Sequence, residues 1–325
     1  MVTIKDIAKV AGVTFATVSR ALNNEPGVNA NTRKRIMEIA REMNYVPNLA
    51  ARRLTDRKSK SIGFIWPQQK GLFFYHLCNE LQMEAVKRGY SILAAFTEPD
   101  HAIRMLNQHF VDRILFWAGP EWVPTLDFYK SKEQLQGQLL ILGGGSLEGA
   151  HRIAIDRKGG IMKAVHHLAD LGHKHIGFVG VESDKLIGFT LGLLEYHLEY
   201  NSNSIIITKN EHPFPEDQVL ALLSKDSPDR PSAFIVDSQG MLFQFIRVIR
   251  RQQLKIPDDL SLIVYDSIPE MEQLLDTPLS TVGPNVHELV MKSLDILTDD
   301  RADETDPMDV LIEPELIIRD SVRPL

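Results

Sequence analysis

The sequence predicts an α/β protein in two unequal parts: a small all-α helix-turn-helix head, and a larger two-lobed core of doubly wound parallel sheets. Three observations lead there. In the first 45 residues, apolar side chains recur at helical spacing in three short segments separated by capping residues. From about residue 61, short apolar strands alternate with amphipathic stretches, the rhythm of βαβ units. The charge also changes sign at that border. Residues 1–60 hold twelve Lys or Arg against five Asp or Glu, net +7, whereas the remainder carries 24 basic and 38 acidic residues, net −14.

A basic head on an acidic body implies that only the head meets a polyanion. The length of 325 residues leaves room for two or three domains. With Cys78 as the only cysteine, no internal disulfide can form, and a reducing, cytoplasmic location is expected. The first six residues lack an apolar stretch suited to export. Apolar runs such as 91–96 are too short to cross a bilayer, so no membrane partner is expected.

Within the head, residues 5–11 place Ile7, Ala8 and Ala11 on one face, and Gly12 suits a helix end. Thr14 can cap a second helix, 15–22, with Val18, Ala21 and Leu22 inward. Asn29 can cap a third, 31–44, with Ile36, Ile39, Ala40 and Met43 inward. Only Gly12-Val13-Thr14 separates the first two, a helix-turn-helix spacing. With Val18 facing the core, steps of about 100° point Ala16 and Arg20 outward and leave Thr17 and Ser19 at the flanks. Phe15 lies nearer the core edge, but in the first turn its ring can project forward. Small and hydroxylated residues let such a helix enter a major groove, and one Arg can bond O6 and N7 of a guanine. Thr3, Thr14, Asn23, Asn29 and Thr32 sit at helix ends or turns, where they can hold phosphates or serve simply as caps.

Beyond Tyr45-Val-Pro47, Asn48 can cap a short fourth helix, 49–55, followed by a basic tether to Lys60. Leu54 has no apolar partner inside this Arg-flanked piece. Such a side chain suits a minor-groove wedge, and equally suits packing on the neighbouring domain.

The run Thr3-Ile-Lys-Asp-Ile-Ala-Lys-Val-Ala-Gly-Val-Thr-Phe-Ala-Thr-Val-Ser-Arg-Ala-Leu-Asn23, then Thr32-Arg33 and Tyr45-x-Pro-Asn-x-x-Ala-Arg-x-Leu54, resembles the lactose-repressor/galactose-repressor (LacI/GalR) family. The resemblance implies that Phe15, Ala16 and Arg20 read bases and that Leu54, with Ala51 on the same segment, enters the minor groove. It implies a homodimer on a near-palindromic, double-stranded operator, leaving a tetramer open. Its domains would be a head at 1–47, a hinge helix and linker at 48–60, and an effector-binding and dimerisation core at 61–325.

In the core, strands are expected at 62–66, 91–96, 113–117, 139–142, 175–180, 204–208, 233–236 and 260–265, and amphipathic helices at 74–88, 160–171 and 242–253. Two such lobes leave a cleft at the carboxyl ends of their strands. The resemblance continues through Ile62-Gly-Phe-Ile-x-Pro67, Asp112-Arg-Ile-Leu115, His167-Leu-x-x-Leu-Gly-His173, Ile256-Pro-Asp-Asp-Leu-Ser261 and Pro278-Leu-Ser-Thr-Val282. It implies a periplasmic-binding-protein type I fold, with one lobe at about 61–158 and 283–310 and the other at about 159–282 and 311–325.

The resemblance further places Phe73, Phe74, Lys185, Ser238 and Asp266 at an effector cleft for a sugar, sugar phosphate or purine-like molecule. Three polar positions depart from the family pattern. Lys185 stands for an effector-clamping Arg, Ser238-Gln239 replaces Asn-Asp, and Gly143 stands where sugar-responsive members often have Asp. An unusual effector or weakened sensing is therefore expected.

No nucleophile elbow, HExxH or CxxC occurs, so neither catalytic residues nor cofactor are expected. His166, His167, His173 and His175 form the one dense histidine group, but His166 and His167 point about 100° apart on a helix. A metal site is not expected there. The alternative reading is a cytosolic sugar-binding or sugar-converting protein with an incidental basic head.

Overall fold

The computed structural model describes residues 2–45, 59–67, 71–181, 183–208, 214–224, 227, 230–272, 276–299 and 306–325. The chain divides into two compact units, Met1–Lys58 and Ser59–Leu325.

Among its described residues the head has three helices: α1 (Ile4–Ala11), α2 (Phe15–Leu22) and α3 (Ala30–Glu42). Each starts where a short polar side chain replaces a missing backbone partner. Thr3 and Asp6 form a reciprocal capping box on α1, Thr14 accepts from the Thr17 amide, and Asn29 accepts from the Thr32 amide. Thr3 hydrogen-bonds the Asp6 carboxylate and lowers its pKa. α1 ends at Gly12 with φ +65°, a left-handed conformation that lets the chain turn at once into α2. Ile7, Ala8, Ala11, Val18, Ala21, Ile36 and Ala40 form the head's core, with Leu22, Ile39 and Met43 half-buried against it.

The core holds two six-stranded sheets. The first has the order β11-β5-β4-β3-β1-β2 and is parallel throughout. Its strands are β1 (Ser61–Ile65), β2 (Ser91–Ala95), β3 (Arg113–Trp117), β4 (Gln138–Leu142), β5 (His151–Ile155) and β11 (Asp309–Ile312). The second, in the order β12-β10-β9-β8-β6-β7, is parallel except for β12, which runs antiparallel to β10. It comprises β6 (Ile176–Val181), β7 (Ile205–Thr208), β8 (Ala233–Val236), β9 (Ser261–Tyr265), β10 (Ser280–Gly283) and β12 (Glu315–Ile317). β1, β4 and β9 are buried at every position, because helices cover both faces of a parallel sheet.

The helices of the first lobe are α4 (Leu72–Lys87), α5 (Pro99–Gln108), α6 (Leu126–Glu133) and the returning α11 (Val286–Thr298). Those of the second are α7 (Arg157–Asp170), α8 (Asp184–Glu195), α9 (Glu216–Leu223) and α10 (Gln239–Arg251). The chain crosses between lobes after β5, after β10 and after β11. At the start of the first lobe, the Ser59 amide donates to Asp112 at 3.0 Å, and Arg113 reaches the same carboxylate at 3.1 Å. Burial nevertheless raises the Asp112 pKa.

All eight expected strands are present, with ends shifted by at most one residue. Four more were not expected. β10 reads Ser-Thr-Val-Gly, β5 includes His151 and Arg152, and β11 and β12 are edge strands with exposed positions. None offers the apolar run or clean alternation by which a strand is recognised. Three of the four grouped histidines have separate structural partners: His173 contacts Ser232 and the Arg323 carbonyl, His175 contacts Ser204, and His166 pairs with Glu195.

Candidate functional site

In the head, α2 turns its core face inward through Val18 and Ala21. Phe15 is 54% exposed, Ala16 and Arg20 are exposed, and Thr17 and Ser19 are half-buried beside them. No carboxylate among the described residues pairs with Arg20, so its guanidinium is available to an external acceptor. Thr14 and Thr17 share a side-chain hydrogen bond of 2.9 Å, which fixes the first turn. The turn leading into α3 is held by Arg33, which donates to the Asn24 side chain and to the Glu25 carbonyl. Asn23 lies 3.4 Å from Glu25. Thr3, Asn29 and Thr32 sit at the starts of α1 and α3. Ala51 and Leu54 lie outside the described residues.

In the core, the structure brings Phe73, Phe74, Lys185, Ser238 and Asp266 to one cavity of about 660 Å³ between the lobes. Their placement follows from topology, since each sits at or just beyond the carboxyl end of a parallel strand or in the first turn of the next helix. Phe73 and Phe74 open α4, Lys185 lies in the first turn of α8, and Ser238 caps α10 by accepting from the Met241 amide. Asp266 follows β9 with φ +79°, its amide bonded to the Val282 carbonyl at 2.9 Å. That backbone conformation is costly for a residue with a side chain, and it holds the carboxylate at the cavity wall.

Further lining residues were missed. Trp66 and Trp117, directly after β1 and at the end of β3, stack with centroids 4.5 Å apart. Phe74 lies 4.7 Å from Trp66, and Phe73 lies 5.6 Å from Trp117. Tyr265 ends β9 and Arg157 opens α7, while Gln239, already placed at the cleft with Ser238 by the sequence, opens α10. The available signal was position: a Trp or Tyr at the carboxyl end of a parallel strand faces the cleft. Lys185 stacks 4.0 Å over the Tyr265 ring and donates to the Asp237 carbonyl. Burial pushes the Tyr265 phenol far above its ordinary pKa, so it stays protonated.

The Gly143–Gly145 turn acquires a steric explanation. Gly143 has φ +113°, and a Cβ there would lie 3.2 Å from the Trp117 ring and 3.0 Å from the Ala118 carbonyl. The indole occupies the space that a side chain at 143 would need. The Gly143 carbonyl accepts from Arg157, linking this turn to the start of α7.

Residues 3–48 match the model for bacterial regulatory proteins of the lacI family, and residues 165–322 match a periplasmic binding protein-like domain. The head is thus a lacI-family regulatory domain, and the match in the core is to a periplasmic binding protein-like domain. Among the chain's relatives are the HTH-type transcriptional repressor PurR of Aliivibrio fischeri (strain MJ11), 28% identical over 99% of this chain and 98% of that protein, and the HTH-type transcriptional regulator DegA of Bacillus subtilis (strain 168), 27% identical over 99% and 98%. The Lac repressor dimer bound to operator and the anti-inducer ONPF superposes with a TM-score of 0.84 over 99% of both chains, at 21% identity. That likeness is one of fold, and it covers both lobes as well as the head.

Proposed function

We propose that this chain is a sequence-specific DNA-binding transcriptional regulator, a repressor that reads a near-palindromic operator as a homodimer and is modulated by a small molecule in the interlobe cavity. The observation that carries this reading is α2, a capped helix whose outward face is Phe15, Ala16 and Arg20, within an N-terminal segment, residues 1–60, of net charge +7. Arg20 recognises a guanine edge, and Phe15 with Ala16 contacts thymine methyl groups. Thr3, Thr14, Asn23, Asn29 and Thr32 hold phosphates, Thr17 and Ser19 flank the reading face, and Ala51 and Leu54 of a hinge at 48–60 act in the minor groove. The protein acts in the cytoplasm and is not an enzyme. Its single cysteine and the regulatory relatives support that reading.

The repressor PurR and the operator-bound Lac repressor dimer support the same mechanism by kinship. On α4, Tyr75, Met83 and Val86 are exposed at helical spacing and offer an apolar surface to a second copy. The effector acts through the lobes. The Leu72 amide donates to Gln239 at 3.2 Å and His76 meets Glu270 at 2.7 Å, both across the cleft. A ligand shifts the head only by binding one lobe arrangement more tightly than another.

The test is duplex binding across a salt series by the full chain and by a truncation beginning at Ser59. The full chain is expected to show a steep log-log slope, about −0.9 per phosphate contact, which the truncation lacks. Equal binding by both proteins would reject the reading.

A further inference from the structure

Three features of the interlobe cavity suit a ligand class that differs from a neutral sugar. The first is its wall, where Trp66, Trp117, Phe73 and Phe74 pack against one another and present flat apolar surface. The second is its charge. Arg157 and Lys185 both line the cavity, and among the described residues each donates only to a backbone carbonyl, those of Gly143 and Asp237. The Asp156 and Asp184 carboxylates stand nearby but outside the lining, and Asp156 is engaged as the cap of α7. The third is an excess of donors. The Trp66 indole N–H and the Gln239 amide N–H groups have no hydrogen-bond partner, although these residues are only 5% and 4% exposed. Gln239 spends its carbonyl oxygen on the Leu72 amide and so presents donors alone.

A buried donor without an acceptor costs about 1–3 kcal/mol, and a part-buried cation without a counter-charge adds to that. A sugar hydroxyl both donates and accepts, and it is best held where carboxylates and amides alternate. Here, among the described residues, the carboxylate in the lining is Asp266, and Gln239 presents none. We infer that the cavity takes a planar aromatic compound carrying an anionic carboxylate or phosphate group, stacked on the Trp66–Trp117 wall with its charge toward Lys185 and Arg157. This inference rests on the reading of the cavity as the effector site. It also accounts for Trp117 and Gly143 together, since the ring has taken the room of a hydroxyl-binding side chain.

The test uses the full chain and its own fluorescence. Two of its three tryptophans lie in the cavity, and Trp122 lies elsewhere against Phe116 and Phe128. The chain is titrated with benzoate, adenosine monophosphate, glucose and glucose phosphate, and binding is checked by calorimetry. Benzoate or adenosine monophosphate is expected to quench saturably, with at least about tenfold higher affinity than glucose or glucose phosphate. Lys185→Met is expected to weaken that binding about tenfold or more, the scale of a charge-assisted hydrogen bond. The ligand comparison uses wild-type protein and so stands even if the variant misfolds. Tighter binding of glucose, no saturable binding of either planar anion, or unchanged affinity in folded Lys185→Met would each overturn the proposal. A parallel operator-binding assay separates the two readings. Glucose that binds and alters operator affinity defeats the ligand class alone, whereas a planar anion bound by a chain without operator preference defeats the regulator alone.

Discussion

Gly143→Ala adds one methyl group in the turn after β4, beside the Trp117 ring that lines the effector cavity. The backbone there has φ +113°, which a residue with a Cβ adopts only at a cost of about 1–3 kcal/mol. The new atom would also lie 3.0 Å from the Ala118 carbonyl and 3.2 Å from the Trp117 ring, so the turn or the indole must give way, at a further cost of about 1–3 kcal/mol. The expected loss in core stability is therefore about 2–6 kcal/mol. In a Trp117→Ala background the collision with the ring disappears while the strain and the Ala118 contact remain. The same substitution should then cost about 1 kcal/mol less, a coupling readable in a double-mutant cycle. Urea unfolding followed by circular dichroism on the four proteins measures it. A Gly143→Ala cost below about 0.5 kcal/mol, or an equal cost in both backgrounds, would refute the argument that the indole holds the space at 143.

Two further predictions concern stability. Ile36 is fully buried in the seven-residue core of the head, so Ile36→Ala should cost about 2–5 kcal/mol there, abolishing duplex binding while the core's unfolding transition is unchanged; an early separate head transition in calorimetry checks this, and retained duplex affinity contradicts it. Burial lowers the pKa of His173 and of His167 below the ordinary value of 6.5, so the unfolded chain binds more protons than the folded one as the medium acidifies. Their contribution is fully present above about pH 6.5 and is lost as pH falls through the folded values; urea midpoints measured from pH 7.5 to 5.5, roughly spanning that window, should fall, and His173→Gln should flatten the decline.

The head was readable almost residue by residue because its signals are local. Thr3, Thr14 and Asn29 are caps whose partners lie three residues away, and Gly12 marks a turn that its neighbours already require. The central strands were readable because burial on both faces demands continuous apolar runs. The edge strands β11 and β12 were not, since half-exposed strands of three or four residues carry no such pattern. The cavity was legible only in part. Phe73, Phe74, Lys185, Ser238 and Asp266 came from resemblance, which transfers positions that the family already uses. Trp66 and Trp117 were not among the positions the resemblance carried, and they looked like the apolar ends of strands. That Gly143 yields its space to Trp117 depends on two strands meeting across a sheet, which no local pattern encodes.

The account depends on α2 being presented to base edges, and selection from a random duplex pool tests that most directly. The full chain and Arg20→Ala would each be carried through rounds of binding and sequencing at fixed salt. The account predicts an enriched near-palindrome for the full chain, and for Arg20→Ala the same half-site spacing with one guanine position relaxed in each half, worth about 1–3 kcal/mol of discrimination. A full-length pool without enriched symmetry, or an Arg20→Ala pool that keeps every base preference, would contradict it.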